Sequence, residues 1–220
     1  MSTLSALEAE GAYLMALGTL LAASPEPEQL AQLAAGDVFS DVPFATGQPF
    51  TQKGAKMLAA WARRYDGSQL DALKYDYLCM FEGPGRPKAP PWESVYTNRE
   101  KDLLFQAETL MVREWFKAYG LQVPNLYKEP DDHIAFEVQF VGHLTSQAAK
   151  MLSKGRGDEA QSLLAARSDF CAEHLLRWGF EWCMLAKEGA KTEYYLGLAL
   201  LVEGMLATLR QRSEGKDGQY

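Results

Sequence analysis

Residues 129–155 read EPDDHIAFEVQFVGHLTSQAAKMLSKG, and the periodicity of this stretch decides the fold. Ile134, Val138, Val141, Thr145, Ala148 and Leu152 recur at spacings of three and four, which places them on one face of an α-helix. Pro130 suits the first position of such a helix. Asp131 and Asp132 complement the positive end of its dipole, and Gly155 closes it.

The same period extends in both directions. A first helix is expected over about Leu4–Ala23, with Leu4, Leu7, Leu14, Leu17 and Leu21 on one stripe. Ser24-Pro25 stops it and caps a short helix ending near Gly36. Another helix runs over about Thr51–Tyr65, and Ser68 with Asp71 resembles a cap for the next, which ends near Phe81. Asn98 caps a helix with Glu100 and Asp102 in its first turn and Gly120 at its end. Two helices follow between about Asp158 and Ala186. The last covers about Thr192–Arg212, with Tyr195, Leu198, Ala199, Val202, Met205, Leu206 and Leu209 at helical spacing. The expectation is an all-α, single-domain helical bundle of roughly 8–11 helices spanning residues 1–220, with a hinge at 121–130 between two halves. One long Pro/Gly-rich loop, about 82–97, interrupts it. Its prolines 84, 87, 90 and 91 are expected to exclude helix there.

Composition limits the functions available. Apolar residues make up 47% and charged residues 23% of the 220, ordinary values for a folded domain. Twenty-two basic and 29 acidic side chains give a formal charge of −7. Such a surface repels nucleic acid and anionic lipid and favours basic partners. No run reaches the ~18 apolar residues of a membrane span, so no stable membrane insertion is expected. Glu8 and Glu10 stand where an export signal carries basic residues. Cys79, Cys171 and Cys183 are odd in number and form no CxxC pair, which suits free thiols in a reducing compartment and places the protein in the cytoplasm.

Catalytic chemistry finds little support. His133, His143 and His174 are the only histidines. The first two lie ten residues apart on one expected helix, roughly 80° around it. With no HExxH and no paired CxxC, neither a metal nor a resident cofactor is expected. Adjacent Asp132 and His133, with Ser94 or Cys79 as nucleophile, lack the relay geometry of a triad, so the chain reads as a binding protein and not an enzyme. Two segments carry the binding features: GPGRPKAPPWESVY at 83–96 and EPDDHIAFEVQFVGHL at 129–144. In the first, prolines reduce the entropy lost on docking, and Trp92 and Tyr96 offer broad, rigid contact. In the second, a helix start disfavours protonation of His133 while the flanking carboxylates favour it. The plainer alternatives are that Trp92 and Tyr96 plug the core under the loop, that Glu129, Asp131 and Asp132 serve only the helix start, and that His143 is structural.

Taken in order, these motifs resemble the TorD/DmsD family of redox-enzyme maturation chaperones, related to the NarJ group. A helix ending in Phe81 precedes Gly83-Pro84. Then come Pro90-Pro91-Trp92-Glu93-Ser94-Val95-Tyr96 and, some thirty residues on, Glu129-Pro130-Asp131-Asp132-His133. The resemblance implies an all-α protein that binds the twin-arginine leader and apo catalytic subunit of a molybdopterin oxidoreductase. It would hold that client in the cytoplasm until cofactor insertion, with components of the Tat translocase as further partners. The implied peptide-binding residues are Tyr77, Pro91, Trp92, Ser94, Tyr96, Glu129, Pro130, Asp132 and His133. Glu129 and Asp132 are expected at the arginine end, with His133, Trp92, Tyr96 and Tyr77 along a groove. Gly85 departs from an aromatic found in some members, and Arg86 and Lys88 argue against this loop touching the arginines. A NarJ-type assembly factor, an enzyme or nucleotide-binding protein using Asp132–His133, and a structural helical subunit are the alternatives. The expected state is a monomer or a domain-swapped dimer.

Overall fold

The computed structural model describes residues 2–83, 85–98, 107–124 and 129–215. In chain order the helices are α1 (Thr3–Ala22), α2 (Pro27–Ala35), α3 (Pro49–Arg64), α4 (Leu70–Tyr77) and α5 (Glu93–Thr97). They continue as α6 (Ala107–Ala118), α7 (Ile134–Ser153), α8 (Gly157–Phe170), α9 (Leu176–Gly189) and α10 (Glu193–Ser213). π-Helical turns occupy Leu78–Glu82 and Cys171–Leu175. Among the described residues there is no strand, as the 3.6-residue period requires, and no helix long and apolar enough to cross a membrane. Two compact units form, one from Met1–Ala22, Pro91–Gly179 and Leu209–Tyr220, the other from Ala23–Pro90 and Phe180–Thr208.

In the first unit α1 lies antiparallel against α7. Leu7, Leu14, Leu17 and Leu21 are buried from one side and Ile134, Val138, Val141 and Ala148 from the other. Each leucine, isoleucine or valine among them contributes about 1.5–3 kcal/mol on burial. The axes approach closely because glycines face each other: a Cβ on Gly142 would stand 2.9 Å from the Met15 nitrogen and 3.1 Å from the Gly11 oxygen. Backbone cannot yield as a flexible side chain does. Gly142→Ala is therefore expected to destabilise the protein by about 1–3 kcal/mol, the usual cost of overpacking. A urea midpoint unchanged from wild type would refute this. The stripe of α1 also carries an acid. Glu10 Oε1 accepts from Arg167 Nη1 of α8 at 2.9 Å and from Arg212 Nη1 of α10 at 2.8 Å. Phe116, Phe140 and Phe170 complete this core, with ring centroids 4.7 Å apart for Phe140 and Phe170.

In the second unit α3 packs antiparallel on α10. Gly54 meets the Gly197 carbonyl, and the Trp61 ring lies 4.7 Å from Tyr194. Asp76 caps α10 from outside, accepting from the Lys191 and Thr192 amides and, at 2.7 Å, from the Thr192 hydroxyl. Tyr77 is buried here, with its ring 5.0 Å from Phe81 and 6.1 Å from Tyr195.

Several boundaries differ from the sequence-based expectation. The segment 82–97 is not loop throughout: a π-helical turn reaches Glu82, and Glu93–Thr97 forms α5. The last proline there is Pro91, so nothing after it opposes helix. Pro130 is not the first residue of α7, which starts at Ile134, because Asp132–Ile134 are drawn into pairing with 91–94. Ser68 does not cap α4. Its hydroxyl donates to Asp66 at 2.6 Å, and Gln69 precedes the helix without a side-chain cap. Glu26, not Ser24-Pro25, precedes α2, and Pro27 opens it. Gly120 and Gly155, both with φ +71°, end α6 and α7 as expected. Asn98 is the residue that closes α5, while Glu100 and Asp102, and Asn125–Lys128 of the expected hinge, lie outside the described residues.

Candidate functional site

Residues 91–96 of the first motif segment meet the second segment within the first unit. The Glu93 amide donates to the Asp132 carbonyl at 2.9 Å, and the Ile134 amide to the Pro91 carbonyl at 2.7 Å. These bonds form a lone antiparallel bridge between Trp92 and His133. In such a pair the side chains stand close together, and here the rings meet edge to face with centroids 6.2 Å apart.

Asp132 locks the junction. Its Oδ2 accepts from the Ser94 amide at 2.9 Å and its Oδ1 from the Thr109 hydroxyl at 2.7 Å. Ser94 is in the first turn of α5, so the carboxylate caps that helix from a distant part of the chain. Asp132 is fully buried, and both its oxygens are engaged within the protein. Asp131 ties α6 to the same turn through an ion pair, its Oδ2 accepting from Arg113 Nη2 at 2.6 Å. Neither acid lies within the first turn of α7.

His133 is the N-cap of α7. Its Nδ1 accepts from the Ala135 amide at 3.1 Å, which leaves the ring proton on Nε2. Burial holds its pKa down to about 3, so the ring is neutral at pH 7. Of the other expected site residues, Pro91, Ser94, Tyr96 and Pro130 are buried, Trp92 is half-buried and Glu129 is exposed. Tyr96 packs on Trp178 with centroids 5.2 Å apart. Tyr77 belongs to the second unit.

Sequence reasoning missed the polar residues beneath this junction. Glu93, in the first turn of α5, is fully buried, and its Oε2 lies 2.8 Å from His174 Nδ1. Burial raises the Glu93 pKa against the opposing influence of His174. Glu137 is also fully buried and accepts from Trp178 Nε1 at 3.2 Å. Burial, reinforced by Glu93 and Asp132, pushes its pKa well above the ordinary value. Glu137 had a legible signal, three residues after Ile134 and four before Val141 on the apolar stripe. His174 had none, because a π-helical turn carries it. Among the described residues no three His, Cys, Asp or Glu side chains group to hold a metal.

The two shifted groups imply opposite pH dependences. Glu137 binds its proton more readily folded than unfolded. Its contribution to stability is present below its ordinary pKa of 4.5 and declines as pH rises above that value. His133 resists protonation when folded. Its contribution is complete above 6.5 and declines as pH falls toward about 3. Glu137→Gln keeps an acceptor for Trp178 and removes the alkaline dependence. The variant is expected to gain stability relative to wild type between pH 5 and pH 8 in urea unfolding. Parallel curves for the two proteins would contradict the assignment.

An all-α fold with its two motifs joined in this way defines a class, and comparisons with known proteins place the chain within it. The profile of the nitrate reductase delta subunit family matches residues 48–184, a span containing every candidate site residue. The chain belongs to that family. It is 29% identical over 191 residues to the Tat proofreading chaperone DmsD of Salmonella paratyphi A, covering 87% of this chain and 84% of that protein. It is 35% identical over 106 residues to the chaperone protein TorD of Vibrio cholerae, an alignment spanning 48% of this chain and less than half, 46%, of that relative. The resemblance read from 75–144 is confirmed. A crystal structure of an Archaeoglobus fulgidus protein taken for a redox enzyme maturation protein has a TM-score of 0.50 over 90% of this chain and 93% of that one. At 19% identity it shows a shared fold alone.

Proposed function

We propose that this protein is a cytoplasmic, system-specific maturation chaperone without catalytic activity. It binds the twin-arginine leader of a molybdenum-cofactor oxidoreductase and holds the apo subunit until the cofactor is inserted and the client is exported. The observation that carries this reading is the similarity to DmsD over 87% of the chain. The acidic balance of −7 supports it, because a leader begins with a basic region. The leader meets the rim of the 92/133 junction, where half-buried Trp92 and the Nε2 edge of His133 offer contact and exposed Glu129 meets arginine. Asp132, Ser94, Pro91 and Pro130 hold that rim in shape, with Tyr96 behind it. Tyr77, buried within the second unit, is not assigned to the leader.

The test is calorimetric titration with leader peptides from the molybdoenzymes of the source organism, each beside a twin-lysine control. Micromolar binding is expected, weakened about tenfold by the lysine change, because lysine cannot pair bidentately with a carboxylate. Trp92→Ala is expected to weaken binding to a similar degree with helix content unchanged. Binding of a mature reductase subunit but of no leader would instead identify an assembly factor of the NarJ type, the reading favoured by the family's description.

A further inference from the structure

Three hollows in the first unit share their edges. One, of about 550 Å³, is lined by Leu110, Met111, Trp115 and Tyr119 of the 107–120 segment, beside the π-helical turn Cys171–Leu175. A second, of about 530 Å³, is lined by Tyr119, His143, Met151 and Leu163. A third, of about 130 Å³, is lined by His143, Met15, Val123 and Phe136. Tyr119 thus lines the first and second, and His143 the second and third, so the three hollows form a track of neighbours linked by shared lining residues. Large apolar side chains stand open along it: Leu110 is 55% exposed, Met111 46% and Met15 39%. The track touches the 92/133 junction only at its edges, where the Phe136 ring lies 5.3 Å from that of His133 and where His174, the partner of Glu93, lines the first hollow.

The charges along the track have one sign. Glu114 and Glu173 line the first hollow and Glu159 the second, while among the described residues no lysine or arginine lines any of the three. Glu114 pairs with Lys117 and Glu159 with Arg156, both as exposed neighbours along the chain, and Glu173 accepts from Trp115 Nε1 at 3.2 Å. Exposed ion pairs of this kind exchange readily for a ligand's cation. The open methionines add a property suited to a variable ligand. They are unbranched and polarisable, and they repack around apolar segments of different sequence.

We propose that this track is the docking surface for the apolar segment of the client leader, with Glu114, Glu173 and Glu159 meeting its basic residues. The inference rests on the leader-binding reading above and gives that reading a second subsite. A peptide long enough to carry both a basic pair and an apolar run engages the track through its apolar part.

The test uses a synthetic peptide with a twin-arginine pair followed by about 12 apolar residues, and a control in which the apolar run is serine and glycine. Wild-type protein is expected to bind the first peptide. Leu110→Asp/Met111→Asp in the first hollow and Met15→Asp in the third are each expected to weaken that binding at least tenfold. Weak binding of the control is expected to be unchanged in both variants, as are their melting temperatures, since the altered side chains are exposed. A benzophenone at the centre of the apolar run should crosslink to Met15, Met111 or Met151 of the wild-type protein, which keeps the proposal testable should a variant unfold. Equal binding by wild type and both variants, or crosslinks confined elsewhere, overturns the track and leaves the leader-binding reading intact. No binding by wild type to any leader overturns both. Conversion of a wild-type dimer to monomer in the variants, with leader affinity unchanged, assigns the track to a second copy of the chain and also overturns the proposal.

Discussion

Asp132→Ala is expected to lower the unfolding free energy by about 3–5 kcal/mol. Two hydrogen bonds to an ionised acceptor are lost, each worth about 1.5–3 kcal/mol, and the donors stay buried. Those donors are the Ser94 amide and the Thr109 hydroxyl. The first is in the opening turn of α5, and the second joins α6 to the same carboxylate, so one substitution loosens both helices from the 130–133 turn. Asp132→Asn is expected to fall between alanine and wild type. Its amide oxygen replaces one acceptor, while its NH2 faces a donor unless the Thr109 hydroxyl rotates to accept. Urea unfolding of the three proteins measures this, and a loss below about 1 kcal/mol for alanine would show the carboxylate to be dispensable. Leader affinity is expected to fall with stability in both variants and to recover in neither at lower temperature alone, because the Trp92 rim is positioned through this carboxylate. A direct contact between Asp132 and a leader arginine would instead abolish binding in the asparagine variant while leaving its stability near wild type.

Glu10→Ala should have an effect of the same order, about 3–5 kcal/mol, the usual result of breaking a buried ion pair from one side. The cost falls on Arg167, which is only 2% exposed and cannot turn its guanidinium to water. Arg212, a quarter exposed at its side chain, can do so. Combining Glu10→Leu with Arg167→Leu is therefore expected to recover much of the loss, since two apolar groups of similar volume replace two desolvated charges. The coupling between the two sites, read from a double-mutant cycle, should be at least 1 kcal/mol, and additivity would exclude the pair as the cause. Because a typical protein has only about 5–15 kcal/mol of stability, either single change removes a large share of it.

The helices were legible because their signal is local. Leu7, Leu14, Leu17 and Leu21 on α1, and Ile134 to Ala148 on α7, announce a buried face at a period of 3.6, and both faces are buried. The helix-ending glycines at 120 and 155 were legible for the same reason, since a positive φ is a property of one residue. Where a helix begins proved less local. α7 starts four residues after the favourable Pro130 because the backbone at Pro91 and Glu93 bonds the Ile134 amide and the Asp132 carbonyl. The helix Glu93–Thr97 went unforeseen because five residues carry too little periodicity to outweigh four nearby prolines. It owes its cap to Asp132, 38 positions from Ser94.

The same division runs through the candidate site. Pattern and spacing determined the all-α class and marked the two segments that matter, 83–96 and 129–144, because each is a run of residues adjacent in sequence, and it is the two motifs taken together that resemble the family. Only the tertiary structure decided what each residue there does. Asp132 and His133 read from the sequence as groups facing a ligand, yet one is a buried cap for α5 and the other a neutral cap for α7. Their partners, Thr109, Ser94 and Trp92, come from elsewhere in the chain. A side chain's hydrogen bonds and solvation are set by what packs against it, and across such separations only the folded chain brings those groups within reach.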